Sequence, residues 1–570
     1  MTRKTWLIMV VIGAVLVTAA VGGYYYYQSQ ITETDSSEET VKWDLSRLTS
    51  STGGNIQVLD YSDLNLSSVS DIYNVSNQEA IEAKVEALKS DTHYSLDAPL
   101  LISDPYLTNT TGLYVYFSTD EAVQISYTIS AEGYEDYTAV AYNAAGTYAT
   151  EHEFQLIGSV AGVENTITLT AKTETGTEST YKFTYTPNEL QSVTSNAYDT
   201  EDGDSTEKLT DGLYAIIGNQ ASDVRSTLYV DNNGIVRGEV PIIYYNSMRL
   251  NITSDNQMYL GISSGAIAKI TNLGQVTQVI DVASQGYSLH HDFVLDNEGN
   301  ILALATSTEK ETDDNYVEDQ IVKIDTTTGN ITTVLDMESL LPELYEVATD
   351  LEEHSNDAGK YDPIHLNTIQ MIDNDTIIVS SRETSTIIKI ENLTTNPTIS
   401  YMISDESVWD GVGDYSNLLL NQVGNFLNSA GQHTVTYETD DSLEEGQYYL
   451  YMFDNNYEMM DSRQDFDWSA YKSTDYDVTV EDDVSMYYKY LVDENEGSYE
   501  LVESFEVPYS AYVSSAQEYK ENIIMAPGRK NMFIEYDSKG NAIRTFTYTG
   551  DSFLTYRTFK YDFKDFYFAE

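Results

Sequence analysis

Phe533-Ile-Glu-Tyr-Asp-Ser-Lys-Gly540 sets out a unit that recurs along the chain: an apolar strand, a turn of Asp, Asn or Gly, then a second strand. Further copies stand at Leu228-Tyr-Val-Asp-Asn-Asn-Gly234, Ala268-Lys-Ile-Thr-Asn-Leu-Gly274 and Val322-Lys-Ile-Asp-Thr-Thr-Thr-Gly329. Two more stand at Ile388-Lys-Ile-Glu-Asn-Leu393 and Tyr449-Leu-Tyr-Met-Phe-Asp-Asn-Asn456. Each hairpin cannot bury both of its faces alone. Six four-stranded blades around a central channel bury them all, so the repeat predicts a six-bladed β-propeller over 208–570. A set of unrelated hairpins is the alternative. A helical insert, Met337 to Val347, interrupts the third unit.

Composition agrees with an all-β chain. The 570 residues are 41% hydrophobic, enough for a large core, with 48 tyrosines and only 9 prolines. Between 96 and 190, short alternating runs such as Gly112-Leu-Tyr-Val-Tyr-Phe and Thr166-Ile-Thr-Leu-Thr predict an N-terminal β-sandwich. Residues 191–207 read as a polar, acidic link. Ser76-x-x-Glu79 has capping-box spacing and is followed by Ile81, Val85 and Leu88. An amphipathic helix over 77–95 follows, placed to pack on the next domain or on a second copy of the chain as a homodimer. Residues 31–76 read as an acidic stalk.

The first thirty residues predict a single transmembrane helix. Arg3 and Lys4 precede an uncharged apolar run from Trp6 to Gly23, and Tyr24 to Tyr27 suit the membrane interface. The basic end stays cytoplasmic, so the rest lies outside the cell on a single-pass anchor. A signal peptide cleaved near Ala19-Ala20 is the alternative over 1–30.

Charge and cysteine content exclude several classes. The net charge of −63 repels nucleic acid and anionic lipid. With no cysteine, disulfides, thiolate metal sites and a cysteine nucleophile are excluded.

Histidine is rare, at seven, and its placement is informative. His93, His152 and His354 stand apart. Leu289-His-His-Asp292 precedes a strand, His365-Leu-Asn367 starts another that ends at Ser380-Ser-Arg382, and Gly431-Gln-His-Thr434 starts a third. These contexts recur about 70 residues apart, in successive repeats. Equivalent positions of successive blades converge on one channel mouth, so His291, His365, Arg382 and His433 are candidates for one site. In a strand only one of His290 and His291 faces the channel. Taken singly, each histidine is equally a structural residue, Arg382 an ion-pair partner and Asn367 a turn cap. Three imidazoles and a planar guanidinium suit an anionic group with several oxygens. A three-histidine zinc site is the competing reading, with Asp292 the one obvious supporting carboxylate.

His291-Asp, His365-x-Asn367, Ser-Ser-Arg382, Gln432-His-Thr434 and Phe453-Asp-Asn-Asn, taken in order, resemble the bacterial arylsulfate sulfotransferases. Asp97-Ala-Pro-Leu and Asp104-Pro-Tyr resemble the start of that family's N-terminal β-sandwich. The resemblance implies transfer of a sulfuryl group from a phenolic sulfate ester to an acceptor phenol, with no cofactor and no nucleotide sulfate donor. It implies His433 as the residue that becomes sulfated. It implies His291, His365, Asn367 and Arg382 as groups that hold sulfuryl oxygens and handle protons, with His290 alongside. Tyr509-Ser-Ala-Tyr-Val-Ser-Ser515 stands where the family places a hydroxyl, leaving Ser514 and Ser515 as candidates. Periplasmic members have a disulfide; a cysteine-free, anchored chain looks more like a surface enzyme of a single-membrane bacterium. A non-enzymatic surface propeller that binds a ligand or glycan, and a hydrolytic sulfatase, are the other function classes.

Overall fold

The computed structural model describes residues 43–48, 55–219, 224–244, 248–314, 316–317, 319–348, 360–458, 460–463, 465–471, 484–550 and 554–569. The expected membrane helix, residues 31–42 and 49–54 of the expected stalk, and His354 lie outside the described residues. The rest of that stretch is not a stalk: Ile56, Leu59, Tyr61, Val69 and Ile72 are buried in the core shared with the N-terminal β-domain. Among the described residues no helix is long and apolar enough to cross a membrane.

One long strand, Leu113–Ala131, organises the N-terminal β-domain. Val123, Ile125, Tyr127 and Ile129 are buried and alternate with part-exposed polar neighbours, so one face is core. Its register breaks between Ser118 and Val123. The first half pairs with Leu100–Ser103 and Ala149–Leu156; the second pairs with Tyr137–Val140 and Asn165–Thr173. One strand thus serves two half-sheets.

Six antiparallel sheets of four strands or more follow in chain order, as in a propeller. Blade 2 runs Leu250–Ile252, Gln257–Ser263, Ala266–Thr271, Val276–Asp281, and blade 3 runs Tyr287–Leu295, Ile301–Ser307, Gln320–Ile324, Ile331–Asp336. Blade 4 runs Leu366–Asp373, Thr376–Ser381, Thr386–Glu391, Thr398–Ile403. Blade 5 runs His433–Glu438, Gln447–Asp454, Val484–Asp493, Ser498–Pro508, with Asn421–Val423 added in parallel at its edge. The first strands of blades 3, 4, 5 and 6 pack on one another in turn and form the inner ring.

Closure uses both ends of the propeller segment. Blade 1 (Leu213–Asn219, Ser226–Val230, Val236–Pro241) takes its inner strand, Thr555–Tyr561, from the far end of the chain. Blade 6 (Ser515–Tyr519, Asn522–Ala526, Met532–Asp537, Ala542–Thr547) takes its outermost strand, Asp199–Asp202, from the near end. Part of the acidic link is therefore sheet. All four of its residues are exposed at an edge, so no apolar alternation marks it in the sequence.

Two further sequence readings change. In five blades the repeated unit is the third strand and its turn; Tyr449–Asn456 is instead the second strand of blade 5 and the loop after it. The helix runs Val75–Asp91, and its N-cap is Asn74 rather than Ser76: the Asn74 side chain accepts from the Ser76 and Asn77 backbone N–H groups. Ile81 and Val85 are buried within this one chain, and Gln78 donates to the Ile72 and Tyr106 carbonyls while accepting from Val276 N–H of blade 2.

The β-domain is bonded to the propeller. Arg237 of blade 1 donates to the carbonyls of Gly158 and Glu135, and Thr110 N–H donates to Glu239 O. The C-terminal tail returns to strand Tyr137–Val140 through Ala569 N–H to Val140 O.

Candidate active site

Most of the sequence-derived residues sit where inner strands begin and second strands end, and His290 and His291 sit at a break within an inner strand. His433 is the first residue of the inner strand of blade 5, and His365 directly precedes that of blade 4. Arg382 directly follows the second strand of blade 4. His291 lies within Tyr287–Leu295, where pairing to the next strand lapses between Leu289 and Phe293. Left-handed backbone gathers at the same level: His291 (φ 52°), His365 (φ 46°), Thr434 (φ 52°) and Ser514 (φ 93°). Such conformations are costly for residues with a Cβ and persist where surrounding structure enforces them, often at functional sites.

The rings meet. The His291 and His365 centroids are 4.8 Å apart, edge to face, and Tyr556 lies 5.6 Å from His291. His290 Nδ1 is 2.9 Å from His291 Nδ1, so one of the two donates to the other. Asp362 pairs with His365 through the ring Nδ1 and accepts the His365 backbone N–H at 2.9 Å. A carboxylate there stabilises positive charge on the ring. Arg382 N–H donates to His365 O at 3.1 Å, and its guanidinium meets Glu383 at 3.2 Å. Burial and the neighbouring Asp461 push Glu383 up to about 7, against the pull of Arg382.

His433 is buried, and burial above all holds its pKa at about 3; Arg382, His365 and Arg557 add a positive field in the same direction, against a hydrogen bond to Asn455. The ring is therefore neutral at ordinary pH. Its Nδ1 lies 3.0 Å from the Gly431 carbonyl, which can only accept. The ring proton thus sits on Nδ1, and the lone pair is on Nε2.

The other expected residues have structural partners. Asn367 Nδ2 donates to Gln432 O at 2.7 Å and its Oδ1 accepts from Thr368, which fixes the backbone just before His433. Ser514 Oγ is 2.9 Å from Ser510 Oγ and accepts Gly528 N–H at 3.1 Å. Ser515 Oγ both donates to Thr558 O and accepts Thr558 N–H, joining the inner strands of blades 6 and 1. Asp292 does not support a metal-bound histidine. Arg249 holds both of its oxygens at 2.6 and 2.7 Å, and Arg557 holds one at 2.8 Å. Among the described residues no group of three His, Asp or Glu side chains is placed to hold a metal ion.

Asp362, Arg249 and Arg557 were not singled out from sequence, and Asn455 figured there only inside the Phe453-Asp-Asn-Asn motif, with no role attached. Arg557 is fully buried, donates to Asn367 O at 3.0 Å and Met248 O at 3.1 Å, and its charge is reinforced by Asp292. The spacing Asp362-x-x-His365 is a weak local signal for a carboxylate on an imidazole. Arg557 carries no comparable signal. As a whole, the arrangement sets a neutral imidazole beside a guanidinium and a carboxylate-backed imidazole, suited to an anionic ester of a poor oxygen leaving group.

No curated protein matches this sequence. Solved structures with a similar course include BamB from Moraxella catarrhalis, at 10% identity over 64% of this chain and 99% of that one, with a TM-score of 0.30. Another is the WD40 β-propeller domain of Doa1, at 11% identity over 77% and 96%, with a TM-score of 0.28. Likenesses this distant carry no argument about activity. The arylsulfotransferase Ig-like domain matches residues 100–188, and the arylsulfotransferase (ASST) family matches residues 199–564. This chain belongs to the arylsulfotransferase family and is an aryl-sulfate sulfotransferase.

Proposed function

We propose that the protein transfers a sulfuryl group from a phenolic sulfate ester to an acceptor phenol in two half-reactions through sulfated His433, without a nucleotide donor. The observation that carries this reading is the His433 ring itself: neutral, buried, its proton on Nδ1, its Nε2 lone pair free to attack. A sulfate monoester bears one negative charge, and its transferred group resembles SO₃. Arg382 and the imidazolium of His365 offer the positive charge that such a transition state needs.

In the first half-reaction His433 Nε2 bonds to sulfur as the S–O bond to the aryl group breaks. The electron pair leaves on the phenolate, which takes a proton from His365, whose charged form Asp362 supports. His291, in ring contact with His365, relays or shares that proton. In the second half-reaction an acceptor phenol, with a pKa near 10, gives its proton to His365 and its oxygen takes the sulfuryl group. Two covalent half-reactions give ping-pong kinetics. The apolar run 6–23 is proposed as the anchor that places this site outside the cell.

The test is a chromogenic aryl sulfate, with and without added phenol, followed by intact protein mass. Transfer requires the acceptor, hydrolysis does not, and a binding module turns over in neither case. Without acceptor, one SO₃ should add to the peptide that holds His433 and be missing in His433→Ala. A label that persists in His433→Ala moves the nucleophile to His291 or His365. Transfer with no label in any variant means direct displacement.

A further inference from the structure

Asn455 directly follows the second strand of blade 5, and its carboxamide oxygen lies 2.6 Å from His433 Nδ1. A carboxamide can be placed either way round, and its neighbours decide which. Here the far end of the group meets the carbonyls of Ser510 at 2.7 Å and Val513 at 3.0 Å. Both can only accept, so that end is the NH₂ and the end toward His433 is oxygen. The residue is fully buried, and its own carbonyl accepts from Ser485 Oγ at 3.1 Å. Asn455 Oδ1 and Gly431 O therefore make the same demand on His433: Nδ1 must donate.

We propose that Asn455 is a positioning residue that keeps a proton on His433 Nδ1 through both half-reactions, so that the covalent intermediate is the N-sulfoimidazolium. This rests on reading His433 as the nucleophile. When Nε2 takes the sulfuryl group, the aryl oxygen leaves with the S–O electron pair, and the ring gains one positive charge against the negative charge of the sulfonate. When the acceptor phenol oxygen bonds to sulfur, its proton passes to the base, and the N–S pair returns to Nε2. The Nδ1 proton never moves. The leaving group of the second step is thus neutral imidazole rather than an imidazolate anion, and a weaker base leaves more readily.

The same geometry explains why a neutral acceptor suits the site. The charged or titratable groups that bear most strongly on His433 are Arg382, His365 and Arg557, all cationic when charged. They oppose a proton on Nε2. A carboxylate at position 455 would counter them and draw a second proton onto the resting ring, blocking the lone pair. Asparagine accepts from Nδ1 without that charge.

The experiment uses the full-length protein labelled with ¹⁵N-histidine, with the His433 signals assigned by their loss in His433→Gln. Between about pH 5 and pH 8 the wild type should show a protonated Nδ1 and an unprotonated Nε2. In Asn455→Asp, the imidazolium should appear toward the acid end. Its rate of protein sulfation by p-nitrophenyl sulfate should then fall about tenfold on the acid side and recover as the ring deprotonates, while the wild type shows no such acid limb. The wild-type spectrum stands whether or not the variant folds. An Nε2–H tautomer in the wild type, or an Asn455→Asp profile with no acid limb, overturns the inference even if protein mass rises by one sulfuryl group. An Nδ1–H tautomer with no gain of mass overturns the sulfohistidine reading instead, and the intermediate with it.

Discussion

Arg557 donates to Asp292 at 2.8 Å, and so binds the last strand of the propeller to blade 3, 265 residues away in sequence. Arg249, just before blade 2, grips both oxygens of the same carboxylate, and Ile369 N–H of blade 4 donates to it at 3.2 Å. One buried side chain thus fixes four blades around the candidate site.

Asp292→Ala should therefore be among the most damaging single changes. It strands two guanidinium groups, one fully buried, which typically costs about 3–5 kcal/mol. The urea midpoint should fall accordingly and transfer should drop with it. A midpoint within error of wild type would show that the arginines find other partners.

Arg382→Lys keeps the charge and loses the planar fork. Transfer should fall by about 10²–10³, since one such stabilising donor is worth roughly 3–4 kcal/mol in the transition state. Arg382→Ala and His365→Ala should still become slowly sulfated, whereas His433→Ala should not. Rates of Arg382→Lys within a few-fold of wild type would take the fork out of the mechanism.

Stability should decline on acidification in a window set by His433. Its folded pKa of about 3 lies below the ordinary 6.5, so under pH 6.5 the unfolded chain binds a proton that the folded chain refuses until about pH 3. Stability is lost as pH falls through that window, by at most about 1.4 kcal/mol per pH unit. His152, which burial holds at about 4, acts in the same sense. Unfolding followed from neutral pH to the acid limit should show a shallower loss for His433→Gln than for wild type.

Lys560 and Glu535 clasp the ring shut. Lys560 Nζ of blade 1 is 2.8 Å from Glu535 of blade 6, and both side chains are fully buried. Lys560→Met leaves the carboxylate with only neutral donors, Thr210, Asn522 and Tyr214, and should cost about 3–5 kcal/mol. Adding Glu535→Gln should recover part of that loss. A double variant less stable than the single one would contradict the charge argument.

Chelation followed by dialysis should leave transfer unchanged, because Asp292 is committed to arginines and guanidinium supplies the positive charge. Loss of turnover restored by zinc or calcium would overturn this.

The sequence alone was enough for the all-β repeat and for the candidate histidines, because both signals are local. Turn residues after apolar strands recur at a readable period, and histidine is rare enough that its recurrence in successive units stands out. Tertiary structure decided which strand each copy became. Turn composition is alike in any hairpin, so Tyr449–Asn456 reads like the other copies, yet its turn is the loop that delivers Asn455 to His433. The supporting shell was equally hidden. Asp362 is one of 92 acidic residues, and only contact with an imidazole distinguishes it. Arg557 reaches the site because the chain's end supplies blade 1 with its inner strand, a closure that no local pattern encodes. Ser514 and Ser515 are a further case. The resemblance implied a hydroxyl at Ser514 or Ser515 without choosing between them; only the folded chain supplies their partners, Ser510 for Ser514 and Thr558 for Ser515, because buried hydroxyls in a closed ring find partners within it.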